Sequence, residues 1–340
     1  MITGTVPFLF NCCPYDNESL VGFLLRLTEA HGLQSPSQLL QQIRGKSSQP
    51  PRASDIPRLA DLCGCDPNAI ASLFGFEFRD ENRNAIWRIA DQSLTKRYFI
   101  SSRILSICPA CLTDHKYLHA EWELTLNTAC PIHGILLVSQ CAHCGRYQRW
   151  MRPGVSVCNC GGSLLDAPVV PASDFQLLIA HLVRARIDPN FKKLGPLALP
   201  PAMTARLACL SLDGLFKTLW FIGRILHMHR LIENHRAAPK KILNAGKILD
   251  LAYNALSDWP YSLFDRLKEL DSKSQTSNST RLLRSIYGPI HRYLMEDMTS
   301  PEFRFVLLAY ELHVKRTWAI ANKIHPKSLS PQLDLDLEDY

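Results

Sequence analysis

Eight metal-ligand side chains fall in four close pairs between residues 108 and 160: Cys108 and Cys111, Cys130 and His133, Cys141 and Cys144, Cys158 and Cys160. In the first three pairs two residues separate the ligands, a spacing that lets a tight turn aim both side chains at one tetrahedral ion. Two such pairs close a structural site with no open coordination position, so eight ligands imply two zinc ions. Disulfides belong to oxidising compartments, and the start of the chain, Met1 to Pro7, has neither the basic residues nor the long apolar stretch of an export signal. A Cys/His nucleophile would not need seven clustered thiols.

The order of ligands leaves the pairing to be decided. Cross-braced RING-type ubiquitin ligases use a similar series, but His133 lies eight positions before Cys141 and the last pair has a single intervening residue. Sequential sites fit better: Cys108, Cys111, Cys130 and His133 for one ion, and Cys141, Cys144, Cys158 and Cys160 for the other. Residues 146–157, with Arg152, Pro153 and Gly154 at the middle, read as a ribbon hairpin, and Ile135 to Val138 as a short strand packed between the sites. His115 and His119 follow Cys111 too closely for a Cys2His2 finger and read as surface or solvent-shell residues. His143 lies inside a Cys-to-Cys turn that already supplies its pair, so it is not counted as a ligand.

The elements that carry these ligands are helical. At 340 residues and 46% hydrophobic content the chain holds two or three domains with ordinary cores. Leu20, Phe23, Leu24 and Leu27 mark a first helix capped by Asp16 or Asn17 and ended at Gly32. Ser35 and Pro36 open a second, with Leu39, Leu40 and Ile43 inside. From Asp55 to Phe74 the pattern is helix, turn, helix, broken at Gly64. Its second helix is poor in the arginine, lysine and glutamine that read base edges, so it suits packing or protein docking better than DNA reading. Residues 75–107 show no clean periodicity.

Beyond the metal region, Phe175, Leu178, Ile179 and Leu182 begin a helical half, followed by a proline-rich linker over 196–201. Leu212 to Arg230 is apolar on most sides, as in the middle helix of a bundle. Further helices are expected over 239–256, 260–270 and 281–295, the last interrupted at Gly288 and Pro289, with a polar loop over 271–280. A final helix over 301–322 is expected to bury Phe305, Leu308, Leu312 and Trp318 and to expose Arg304, Lys315, Arg316 and Lys323. The fold class is therefore mainly α. Its units are an N-terminal helical, helix-turn-helix-like domain over 1–105, a two-zinc module with short β-hairpins over 106–165, a C-terminal helical bundle over 166–325, and an acidic tail over 326–340.

Charge is uneven. Residues 1–165 carry 15 Lys/Arg against 13 Asp/Glu, residues 166–333 carry 23 against 14, and the last seven carry only acids. The formal +7 falls to about +4 once seven thiolates and two divalent ions are counted. A basic C-terminal half suits either nearby nucleic acid or a solvated helical surface. The five remaining cysteines, Cys12, Cys13, Cys63, Cys65 and Cys209, form no obvious framework and read as buried free thiols. There is no apolar run of membrane-spanning length, and no Gly-rich phosphate loop with its Lys and Ser/Thr. Asp265, Glu296 and Glu302 would have to converge to make a nuclease-type metal cluster; exposed helix faces explain them more simply.

Pro14 to Leu20, followed by Leu24, Arg26 and Leu27, resembles the opening of the TniQ/TnsD family of transposition target-selection proteins. Cys108 to Leu112, Trp122, Cys130 to Gly134, Leu136 and Cys141 to Gly145 resemble its zinc region, in the same order. The resemblance covers about the first 165 residues. It implies an adaptor without catalysis, binding target DNA and recruiting the transposon's AAA+ ATPase, which brings the transposase. Longer members read an attachment sequence directly; shorter ones sit, often as a homodimer, on a CRISPR effector complex with its guide RNA. With no long segment after Trp318, the second arrangement is expected here. The implied location is the bacterial cytoplasm, at the nucleoid when active.

Overall fold

The computed structural model describes residues 12–45, 51–73, 77–79, 85–101, 104–191, 195, 197–227, 243–274 and 283–322. Helix α1 (Leu20–Ala30) is capped by Ser19, whose hydroxyl accepts from the Gly22 amide at 2.9 Å. Neither Asp16 nor Asn17 caps it, because Asn17 takes a left-handed turn (φ 59°) that leads the chain into the cap. Helix α2 (Pro36–Arg44) starts at Ser35 and Pro36 as expected. Helix α3 (Ile56–Cys63) ends on left-handed Gly64, and α4 (Pro67–Ser72) has only six residues, ending before Phe74.

The aperiodic stretch that follows is a small antiparallel sheet, β1 (Glu77–Arg79), β2 (Ala85–Ile89) and β3 (Gln92–Leu94), in that order. Strands of three to five residues carry too few positions for an alternating pattern to register. Helix α5 (Pro109–Asp114) and the hairpin of β4 (Ala129–Cys130) with β5 (Ile135–Leu136) belong to the metal region. The expected strand over 135–138 is thus shorter, and Val138 makes a separate bridge to Ile107. The expected ribbon over 146–157 is an irregular loop, organised by Arg152. That side chain is 1% exposed and donates to the carbonyls of Gly154 (3.0 Å) and Val155 (2.8 Å).

The C-terminal half contains α6 (Asp174–Ile187), α7 (Pro201–Ala208), α8 (Leu212–Trp220), α9 (Leu243–Ser257), α10 (Tyr261–Ser274), α11 (Leu283–Asp297) and α12 (Arg304–Asn322). The prolines read as linker end in the first turn of α7, which buries Met203 and Leu207. A π-helical turn, Phe221–Ile225, extends α8 and packs on α9 so closely that a Cβ on Gly223 would lie 2.1 Å from the Ile248 carbonyl oxygen. Helix α10 runs through Asp271 into the stretch expected to be a loop, and Gly288 kinks α11 as expected.

The buried face of α12 is rotated from the expected one: Val306, Ala309, Tyr310, His313 and Val314 are inside, while Phe305, Leu308 and Leu312 are half-buried. Two polar side chains occupy that face because they have partners. His313 meets Asp271 at 2.8 Å, and the Tyr310 hydroxyl meets His291 at 2.9 Å. The side chain of Trp318 and all of Lys323 lie outside the described residues.

Two hydrophobic clusters result. One gathers α1 to α4 with Trp122, Trp150 and the cysteines Cys108, Cys111, Cys130, Cys141 and Cys158; the other gathers Leu94, Phe99, Leu124 and Leu126 with α6 to α12. The segment 118–126 serves both, Leu118 and Trp122 facing the first cluster and Leu124 and Leu126 the second. It is pinned to α1 by backbone bonds from Ser19 to Leu118 and from Ala120 to Asn17, both 2.8 Å. A Cβ on Gly22 would meet the Leu118 Cβ at 2.8 Å, so close approach requires glycine there.

Candidate metal centres

The first group of ligands is built by a helix start and a hairpin. Cys108 stands at the N-cap of α5, its sulfur accepting from the Cys111 amide at 3.4 Å, and Pro109 fills the first helical position, where no amide hydrogen is needed. Cys130 ends β4, and His133 sits in the turn before Gly134, which takes φ 68°. The His133 Nδ1 lies 3.6, 3.2 and 3.6 Å from the sulfurs of Cys108, Cys111 and Cys130, and the Cys111 and Cys130 sulfurs are 3.5 Å apart. Zinc bonds of about 2.3 Å to sulfur and about 2.0 Å to nitrogen give tetrahedral edges of roughly 3.5–3.8 Å, so these separations suit one ion at the centre. The ring is aimed from behind: His133 Nε2 lies 3.1 Å from Asp114 Oδ2 on α5.

The sulfurs of the first group perturb one another. Hydrogen bonds with Cys111 and Cys130 hold the Cys108 thiol well below its usual range, and hydrogen bonds with Cys108 and Cys130 drive Cys111 far above it. A divalent cation bound among such sulfurs would favour their thiolate forms. Cys108, Cys111 and Cys130 are at most 1% exposed, which shields the three sulfurs from water, while the His133 side chain keeps one side open.

The second group comes from two facing turns. Gly145 (φ 67°) follows Cys144, and Gly161 (φ 83°) follows Cys160. The sulfurs of Cys141 and Cys160 are 3.7 Å apart, and those of Cys144 and Cys158 3.8 Å. In each group all four ligand atoms lie within 4.8 Å of one another, so both could hold a metal ion. The grouping is sequential, not cross-braced.

Other expected or discounted residues fall elsewhere. His143 Nε2 meets Asp166 Oδ2 at 3.0 Å, and its ring covers Gly162. His115 is exposed, but His119 is not a surface residue: it is 2% exposed and accepts from Arg184 at Nδ1 over 2.8 Å. Burial, reinforced by Arg184, lowers its pKa to about 3, so it is neutral. Asp265 pairs with Lys268, and Glu302 accepts from the Ser211 amide at 2.8 Å; with Glu296 they form no metal-type group among the described residues.

Two ion pairs that residue spacing does not reveal flank the metal region. Arg26 donates through Nε and Nη2 to both oxygens of Glu18 (2.9 and 2.7 Å) beneath the Tyr15 ring, holding the Pro14 to Leu20 segment on α1. Arg184 on α6 bonds buried Glu121 and reaches Asp188 at 3.2 Å. Between them opens a cleft of about 1010 Å³, lined by residues 14–21, the end of α4, Trp87, Trp150 and residues 187–190. In the sequence, Arg26 and Arg184 show as charged residues amid apolar helix patterns, and Glu18 and Arg26 also belong to the opening that carries the family resemblance.

No helix of the described residues is long and apolar enough to cross a membrane. No curated protein matches the chain. Residues 9–137 match the TniQ family, a span that holds the α1 opening, the small sheet and the whole first ligand group. Over that stretch, somewhat more than a third of its length, the chain is similar to the TniQ family.

Proposed function

We propose that the chain is a non-catalytic target-selection adaptor, linking a target-DNA recognition complex, an RNA-guided CRISPR effector with its guide RNA, to the transposon's AAA+ ATPase and transposase. The observation that carries this reading is the TniQ match over residues 9–137. In this reading Cys108, Cys111, Cys130 and His133 hold one structural zinc, and Cys141, Cys144, Cys158 and Cys160 another. The separations of 3.2–3.8 Å among their ligand atoms support zinc over a disulfide framework. Four protein ligands leave each ion no open position for substrate, consistent with a structural rather than a catalytic role.

The proposal extends to a homodimer working in the bacterial cytoplasm, at the nucleoid when active. It also takes residues 1–105, 106–165 and 166–325 as the units and 326–340 as a tail. Packing of α1 to α4 in one cluster with the ligand cysteines supports a tight coupling of the first two.

Binding of the zinc-loaded chain to random and attachment-site duplexes across a salt series tests the adaptor reading. Weak, salt-sensitive binding without sequence preference is expected of an adaptor that borrows recognition. Preference for one duplex by about a thousandfold or more would make this chain a direct reader of the TnsD kind. The six-residue α4 speaks for the former, since it offers less than two turns to a major groove.

A further inference from the structure

A second thiol cluster lies apart from both ligand groups. Cys12 and Cys13 stand in the extended entry to α1, and Cys63 and Cys65 flank Gly64 at the end of α3. Folding brings Cys65 Sγ to 2.9 Å from Cys13 Sγ and 3.1 Å from the Cys12 carbonyl oxygen, across 52 positions of sequence. Two sulfurs at that distance are already inside van der Waals contact. A disulfide bond is about 2.05 Å long, so the two sulfurs need to approach by a little under about 1 Å to form one. Cys13 is exposed and Cys65 half-buried, whereas Cys63 is sealed in the core at 0% exposure.

We propose that Cys13 and Cys65 are a redox-active dithiol that closes to a disulfide by exchange with a small-molecule disulfide of the glutathione class. Cys13, the accessible sulfur, attacks the external disulfide as its thiolate. A Cys13 mixed disulfide forms and one glutathione thiol leaves with the electron pair and a proton. Cys65 then loses its proton to solvent and attacks the Cys13 sulfur, releasing the second thiol. Two S–H bonds and one external S–S bond are lost, and one protein S–S bond and two external thiols are formed. Burial, the first cause, and the neighbouring Cys13 thiol raise the Cys65 thiol in the reduced chain. Burial persists in the mixed disulfide, and since only the thiolate attacks, the second step quickens with rising pH.

The bond has a structural consequence. It ties the entry of α1 to the α3–α4 corner, and these two stretches, at residues 14–21 and 69–73, wall the same cleft. Arg26 already holds the Cys13 carbonyl at 2.7 Å, so the reduced chain keeps the two sulfurs in register. In a reducing compartment such a pair rests as the dithiol and closes when the glutathione ratio shifts.

Incubating the full, zinc-loaded chain in glutathione buffers of graded ratio, trapping free thiols by alkylation and mapping peptides by mass spectrometry tests this directly. One linked peptide pair containing Cys13 and Cys65 is expected, with zinc content unchanged and melting temperature raised by on the order of 5 °C. Cys63→Ala should give the same linked peptide pair as the parent, and Cys65→Ser should stop at a Cys13 mixed disulfide. Linkage through Cys12 or Cys63, a mixed disulfide that never resolves in the parent chain, or disulfides that form only after zinc release would overturn the assignment.

Discussion

The guanidinium of Arg184 on α6 is locked onto the carboxylate of Glu121, with side chains only 8% and 2% exposed, at the seam where segment 118–126 joins the two hydrophobic clusters. Burial raises the Glu121 carboxyl, and the Arg184 charge and hydrogen bond oppose that rise. Removing one partner strands a charge in the core. Arg184→Met should therefore cost about 3–5 kcal/mol in urea unfolding, and the double variant with Glu121→Leu should recover most of the loss. Equal losses in the single and double variants would show that the pair does not stabilise the seam.

Loss of a core ligand should cost the fold rather than a reaction. Cys130→Ser is expected to drop bound zinc from two ions to one per chain and to unfold or aggregate the protein, because Cys130 is both a candidate ligand and a member of the first cluster. Metal analysis and melting read this; unchanged zinc and melting would sink the structural-zinc reading.

Asp114 reaches the metal group through His133 Nε2, so its removal should weaken one site selectively. Asp114→Asn is expected to lower zinc affinity of the first site by about 10–100-fold in a chelator competition, leaving the second unchanged. A matching loss at both sites would mean the effect runs through global stability instead.

Glu123 gives the stability a pH dependence. Burial pushes its carboxyl up to about 7 from the ordinary 4.5, only partly offset by bonds from Ser19 and Val21 and by Arg97, and its Oε1 has no hydrogen-bond partner among the described residues. With the folded value above the unfolded one, the native state holds the extra proton, and stability falls as pH rises from about 4.5 to about 7. The parent should melt lower at about pH 8 than at about pH 6, with zinc bound at both. Glu123→Gln should flatten that difference.

Gly223 tests the packing of the C-terminal helices. Because a Cβ there would lie 2.1 Å from the Ile248 carbonyl oxygen, Gly223→Ala must push α9 away from the π turn. A loss of about 1–3 kcal/mol is expected, despite the better helix propensity of alanine. Neutral or improved stability in denaturant titration would mean that the turn relaxes without disturbing α9.

Much of the fold was legible because local rules sufficed. The Ser35 cap with Pro36, the left-handed Gly64 and the Gly288 kink each follow from one or two residues' backbone preferences. Legibility failed where long-range partners overrode local pattern. The α12 face was misjudged because His313 and Tyr310 belong to the core only through Asp271 and His291, residues on other helices. The ribbon over 146–157 failed because buried Arg152 supplies, from a side chain, the hydrogen bonds that a partner strand would have supplied.

The sequence by itself determined the ligand pairs and the helical segments around them, since turn geometry and helix periodicity are properties of a few neighbouring residues. Tertiary structure decided which pairs come together, that Asp114 backs His133, and that Glu121 finds Arg184 some sixty residues away. It also decided that Cys13 and Cys65, unremarkable in sequence, share a contact. Such pairings depend on how whole elements pack, because the cost of burying a charge or a thiol is set by everything that surrounds it.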